Sequence, residues 1–150
     1  MQLSEKNDAV VRATVEVLAA HADEVTRVFY PSLFEAAPEL LRMFNRANQA
    51  IGEQPRALAG AVVAFAALLI NPDAPDFSPV MRRIAHKHVS LGVKPREYAI
   101  VGHHLLGAVG EVLGDAVTPE VYIAWDEVYW LFASMLIAEE AKLYALAVIG

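Results

Sequence analysis

The stretch RRIAHKHVSLGVKPREYAIVGHHLLGAVGEVLGD, residues 82–115, decides the class of fold. Gly92 and Pro95 interrupt it once, and Gly114 closes it. On either side of that interruption the apolar residues recur at intervals of three and four, the period of a helix with one buried face. The pattern predicts a helix from about Pro79 to Leu91 stopped by Gly92, then a second from Pro95 to about Leu113 ended by Gly114. Within the first, steps of three and four from His88 reach Ile84, Ala85, Met81 and Leu91, all apolar. The same steps from His86 reach Arg82, Arg83 and Ser90. His88 therefore faces a core and His86 faces water.

Outward from this stretch the same period holds, and no segment alternates long enough to make a strand. The class is all-α, with about six or seven helices in one domain over residues 1–150. Ser4 is an N-cap residue for a first helix to about Ala20, and a second runs from about Asp23 to Ala36. Pro31 falls inside the second, where it removes a hydrogen bond at ~3 kcal/mol or more, so a kink or break is expected there. Pro38 opens a short element ending near Phe44, and residues 45–53 read as loop. A core helix follows from Gln54 to Ile70. Thr118-Pro119-Glu120 supplies a cap, a first-turn proline and a first-turn acid for a last helix that meets no Pro or Gly before Gly150.

Composition narrows the functions. The 150 residues include 18 acidic and 12 basic side chains, a net charge of −6, and no Lys/Arg-rich run, which argues against nucleic acid or an anionic membrane face as partner. The chain contains no cysteine, so a metal would have to sit on histidine, carboxylate or methionine. The most apolar window, ALAGAVVAFAALLI at 57–70, is 14 residues long, about 21 Å as a helix and too short for a membrane span. The start, MQLSEKNDAVV, lacks the basic and apolar regions of a signal peptide, so a cytoplasmic protein is expected. The apolar share, 56%, exceeds what one ordinary core of this length needs. Either the core is unusually large or it encloses something apolar.

His88, Glu140 and Tyr30 stand out from the helical background. A histidine in an apolar stripe, taken alone, reads as a core residue satisfied by one hydrogen bond, and His88 is open to that reading. Glu140 interrupts the stripe Tyr129, Phe132, Ala133, Leu136, Ile137, Leu143, Tyr144. Either it is buried with a donor, because a bare buried carboxylate costs several kcal/mol, or it reaches solvent from the rim. Tyr98 shares a stripe with Val101, Leu105, Ala108 and Val112 and could offer its phenol to the same interior. Tyr30, with Gln54 at a helix start, could supply a polar pair inside an apolar pocket. His103 and His104 are adjacent on a helix and cannot chelate together, and His21 lies at a helix junction.

These pieces, taken in order, resemble a known family. VFYPSLF, then Pro38 and Phe44 in PELLRMF, then EQPRALA, RRIAHKHVSLGV, REYAIVGHHLLGAVGEVLGD and AEEAKLYALAV are similar to bacterial haemoglobins of the flavohaemoglobin type, collinearly and over nearly the whole chain. The resemblance implies a globin fold around haem b, iron protoporphyrin IX. It implies His88 as the axial iron ligand, Phe44 wedged against the porphyrin, and Tyr30 and Gln54 as the pair that hydrogen-bonds bound dioxygen. Leu58 is then the apolar residue crowding the iron, Tyr98 and Glu140 the partners of the histidine, and Lys87 a basic residue for a haem propionate. An imidazole donating its second N–H to Glu140 gains anionic character and pushes electron density to iron, which favours redox chemistry over storage.

The implied activity is conversion of nitric oxide to nitrate, with dioxygen and nitric oxide as ligands. Flavohaemoglobins continue into a flavin and nicotinamide reductase module, and this sequence has no Gly-rich dinucleotide fingerprint. An external reductase is expected as partner. Oxygen delivery or storage without turnover is the alternative from the same pocket, and a plain helical protein with a core histidine is the third. The sequence leaves a homodimer open.

Overall fold

Ser4 opens the first helix as expected: its Oγ accepts a hydrogen bond from the Asn7 N–H at 3.3 Å, and helix α1 runs Glu5–Ala20. The structure is a computed structural model and describes residues 3–42, 57–71 and 73–149. Among them are α2 (Ala22–Ala36), α3 (Ala57–Leu69), α4 (Ser78–Leu91), α5 (Pro95–Leu113) and α6 (Pro119–Ile149), with a 3-10 turn at Gly114–Ala116 and no strand. Residues 39–42 are helical and Leu40 is buried, in agreement with a short element after Pro38. Its expected end near Phe44, the loop at 45–53 and the helix start at Gln54 lie outside the described residues.

α2 narrows one expectation, the kink or break at Pro31. The helix continues through Pro31 without a break. Both Arg27, whose carbonyl loses its usual donor, and Pro31 lie on the exposed side, where water can reach that carbonyl. The opposite side buries Val25, Phe29 and Leu33 against α5 and α3, and that burial, at about 1.5–3 kcal/mol per large apolar side chain, outweighs one lost bond.

One hydrophobic cluster joins all six helices. α3 supplies Ala59, Val62, Phe65 and Ala66, and Phe65 stacks on Phe132 of α6 with ring centres 4.7 Å apart. Phe77, just before α4, meets both rings and anchors the entry to that helix. Trp125 Nε1 donates to Thr14 Oγ1 at 2.8 Å and ties α6 to α1. By length and composition Pro119–Leu146 could cross a membrane. In this fold Trp125, Val128, Tyr129, Phe132, Leu136 and Glu140 of that segment are buried in the protein interior, as in the core helix of a globular domain.

α4 positions His88 and has one-sided support. It packs on α6 through Met81 and Ala85, with no comparable packing on α2 or α3 among the described residues. Its far end is closed by a Schellman motif. Gly92 takes the left-handed conformation at φ 79°, its N–H donates to the Val89 carbonyl, and the Val93 N–H donates to the His88 carbonyl at 3.0 Å. His88 is thus the residue on which the helix end closes.

A Cβ at Gly92 meets no atom within 4 Å, so Gly92→Ala reads the left-handed backbone alone, at a cost of about 1–2 kcal/mol. Gly60, inside α3 with equally open surroundings, reads the opposite: Gly60→Ala should gain about 0.5–1 kcal/mol. Urea midpoints of the two variants check both; a Gly92→Ala midpoint equal to that of the unaltered chain would contradict the cap.

Candidate functional site

Three helices bring His88, Tyr98 and Glu140 to one point. Glu140 is 3% exposed, which resolves the choice between burial and rim in favour of burial. Its Oε2 lies 3.0 Å from His88 Nδ1 and accepts from the Tyr98 hydroxyl at 2.6 Å. The Tyr98 oxygen is itself 2.6 Å from His88 Nδ1. The arrangement assigns the proton to Nδ1, shared between the carboxylate and the phenol oxygen, because Glu140 as a carboxylate only accepts. Both hydrogen bonds use Nδ1. Nε2 has no partner among the described residues, and the side chain is 29% exposed on the open side of α4 beside half-buried Ile84 and Leu91.

Sequence reasoning missed the supports of this triad. The Tyr129 hydroxyl donates to the Tyr98 backbone carbonyl at 2.5 Å. Tyr129 and Glu140 stand eleven residues apart on α6, about three turns, and so hold Tyr98 at its backbone and at its phenol from one helix face. Gly102 makes room for this: a Cβ there would lie 2.5 Å from the Tyr129 ring. The stripe containing Tyr129 was readable, but nothing in the spacing distinguishes a phenol aimed at a carbonyl from a core ring. A small apolar cavity of about 30 Å³ between α1, α2, α3, α5 and α6 borders Tyr129 and shares no residue with the triad.

The remaining candidates fall into place separately. Tyr30 on α2 packs between Phe29 and Phe34, with ring centres 4.9 and 5.5 Å away. Leu58 is half-buried in the first turn of α3, and Lys87 is exposed on α4. Phe44 and Gln54 lie outside the described residues. His86 is exposed, His21 Nδ1 pairs with the Val17 carbonyl, and His104 Nδ1 pairs with Ser32 Oγ. Among the described residues no three His, Asp or Glu side chains converge to hold a metal ion. A lone imidazole nitrogen suits an ion whose other ligands come from elsewhere, as the planar macrocycle of a haem provides.

The site is that of an α-helical protein with a single oriented imidazole, and its class follows. Residues 27–136 match the globin family, and the chain belongs to it. It is similar to the flavohemoprotein of Deinococcus radiodurans, 49% identical over 142 residues, or 95% of this chain and 35% of that protein. A flavohemoglobin from Malassezia yamatoensis with bound FAD and heme superposes with a TM-score of 0.88 at 44% identity, over 97% of this chain and 38% of that one. An engineered carbene transferase from Rhodothermus marinus, described as a putative nitric oxide dioxygenase, superposes at 0.83 with 33% identity over 98% and 99% of the two chains. The chain spans about a third of the length of the curated flavohemoproteins it matches.

Burial holds the Tyr30 phenol up at about 12. Tyr98 is pushed well above the ordinary phenol range, first by burial and then by its hydrogen bond to Glu140 and that carboxylate's repulsion; burial raises Tyr129 as well. The folded chain therefore keeps phenolic protons that the unfolded chain releases near pH 10. Their contribution to stability is full below about pH 10 and is lost as pH rises toward about 12. Urea midpoints should stay nearly level from about pH 8 to about 9.5 and fall by about pH 11, less so in Tyr98→Phe; a flat profile through pH 11 in the unaltered chain contradicts the buried phenols.

Proposed function

We propose that this chain binds haem b with His88 holding the iron, binds dioxygen reversibly, and converts nitric oxide to nitrate with electrons from a reductase. The observation that carries the reading is the His88 imidazole, gripped at Nδ1 by Glu140 and Tyr98 with Nε2 left for a ligand bond. Haem bound there would supply the diatomic-ligand and redox chemistry.

The residues of the chain do the rest. Glu140 holds the Nδ1 proton and so raises the electron density that Nε2 offers, the direction that favours oxygen chemistry over storage. Tyr98 fixes the Glu140 oxygen and the imidazole plane together. Tyr30 stays a neutral phenol, and a donor in an apolar pocket is worth more to a partly negative ligand than the same donor in water. Phe44 is assigned to the porphyrin face, Gln54 to hydrogen-bonding dioxygen with Tyr30, Leu58 to the apolar wall beside the iron, and Lys87, exposed beside His88, to a propionate. The electron donor is assigned to a flavin-bearing reductase, since FAD accompanies heme in the Malassezia protein, and the reaction to the cytoplasm.

Purified protein reconstituted with haem should give a Soret band that His88→Ala loses or shifts; no uptake by the unaltered chain sinks the proposal. Sustained nitric oxide consumption with a flavin reductase, above that of free haem, separates turnover from oxygen delivery, which predicts a single stoichiometric burst. Tyr30→Phe should speed oxygen dissociation about tenfold for one lost hydrogen bond of ~1.4 kcal/mol. An unchanged off-rate would remove Tyr30 from the ligand's reach.

A further inference from the structure

Glu140 is not the only residue of α6 that reaches the neighbourhood of His88. One turn further on, the Tyr144 hydroxyl donates to the Val93 carbonyl at 2.8 Å. Val93 is the residue whose N–H closes the Schellman motif on the His88 carbonyl, at 3.0 Å. The hydrogen bonds therefore form a chain: Tyr144 hydroxyl to Val93 carbonyl, then Val93 N–H to His88 carbonyl. The Tyr144 ring is held in its turn, because the Lys94 ammonium sits 4.3 Å from its centre, and the Lys94 backbone N–H is bound by Glu97 Oε1 at 2.8 Å.

We infer that Tyr144 is a positioning residue for His88, acting through the main chain while Glu140 acts through the side chain. The two lie four residues apart on one face of α6, so one turn of helix grips the imidazole and the backbone that carries it. The need for a second grip follows from packing. Among the described residues α4 packs chiefly on α6, with the His88–Tyr98 hydrogen bond as its link to α5, and His88 sits near its C-terminal end, where helices fray unless the last carbonyls are satisfied. A side-chain bond fixes the angle of the imidazole plane. It leaves the axial advance of Nε2 to the backbone, which is the coordinate the Val93 bridge restrains.

This inference rests on the reading of His88 as a haem ligand, and the test separates the two. Tyr144→Phe keeps the ring and its contact with Lys94 and removes only the donor. Amide hydrogen exchange on the full chain, with and without added haem, should show the Val93 N–H exchanging about tenfold faster, equivalent to one hydrogen bond of ~1.4 kcal/mol. In the ferrous haem-loaded protein the iron–histidine Raman band should broaden at nearly unchanged frequency, whereas Glu140→Gln should lower the frequency. Gly92→Ala, which loosens the same motif from its other side, should reproduce the broadening. Unchanged Val93 exchange, or a band as narrow as in the unaltered chain, overturns the inference while leaving haem ligation by His88 intact. Absence of any iron–histidine band in the unaltered chain overturns the ligand reading itself and with it the role of Tyr144 toward that ligand, whatever the exchange rates.

Discussion

A carboxylate in the interior of an apolar helical protein is the constraint from which the rest of the arrangement follows. Bare burial of Glu140 would cost several kcal/mol, and only donors brought by other helices can offset that. Tyr98 comes from α5 and His88 from α4, so the carboxylate is satisfied only when three helices are in register. A slip of one residue along α6 would turn Glu139 inward in its place, and Glu139 instead pairs with Lys142 at the surface. The buried charge therefore works as a registry device, since a wrong alignment leaves it unpaired rather than merely loosely packed.

The long last helix is the ruler for that register. Its inward face presents Tyr129, Glu140 and Tyr144 in turn, and their acceptors or donors lie on the Tyr98 backbone, on two side chains, and on the Val93 backbone. Around these polar contacts the face is apolar, with Phe132 stacked on Phe65 and Leu136 buried. Oil supplies most of the free energy and is tolerant of small shifts; the hydrogen bonds are not, because their strength falls off steeply with angle and distance. The combination gives a helix bundle whose one-sided element, α4, nevertheless carries a precisely held imidazole.

Most of the fold could be read from the sequence because helix ends carry their own chemistry. Ser4, Pro95, Gly92, Gly114 and Thr118 each mark a boundary by what their side chain or backbone can do locally, and the observed ends agree with them closely. Pro31 is ambiguous in the sequence for the complementary reason. Its local cost is real, but whether a helix breaks depends on what the opposite face buries and on which side the orphaned carbonyl looks, and both are tertiary facts. At the site, His88, Tyr98 and Glu140 could be singled out as polar residues inside apolar stripes, a conflict visible in one dimension. Tyr129 and Tyr144 could not, since a tyrosine in a stripe is ordinary and its hydroxyl here bonds to a backbone carbonyl that belongs to another helix or to the loop beyond one. Gly102 is equally silent, because a glycine mid-helix says nothing of the ring that approaches it.

The hydrogen-bonding support of His88 is concentrated on one side of its imidazole. Nδ1 is bound to Glu140 of α6 and Tyr98 of α5, and the carbonyl of the same residue closes its helix through Val93, which Tyr144 of α6 holds. On the other side, among the described residues, α4 has little packing against α2 and α3, and the imidazole shares that face with half-buried Ile84 and Leu91. A rigid back and an open apolar front are what a ligand nitrogen requires when the group it holds is large, flat and apolar: the protein fixes the nitrogen and leaves the volume. The 56% apolar content takes on a physical sense in that light, since residues such as Ile84, Leu91 and Leu58 remain only partly covered by protein and still have apolar surface to lose to a guest.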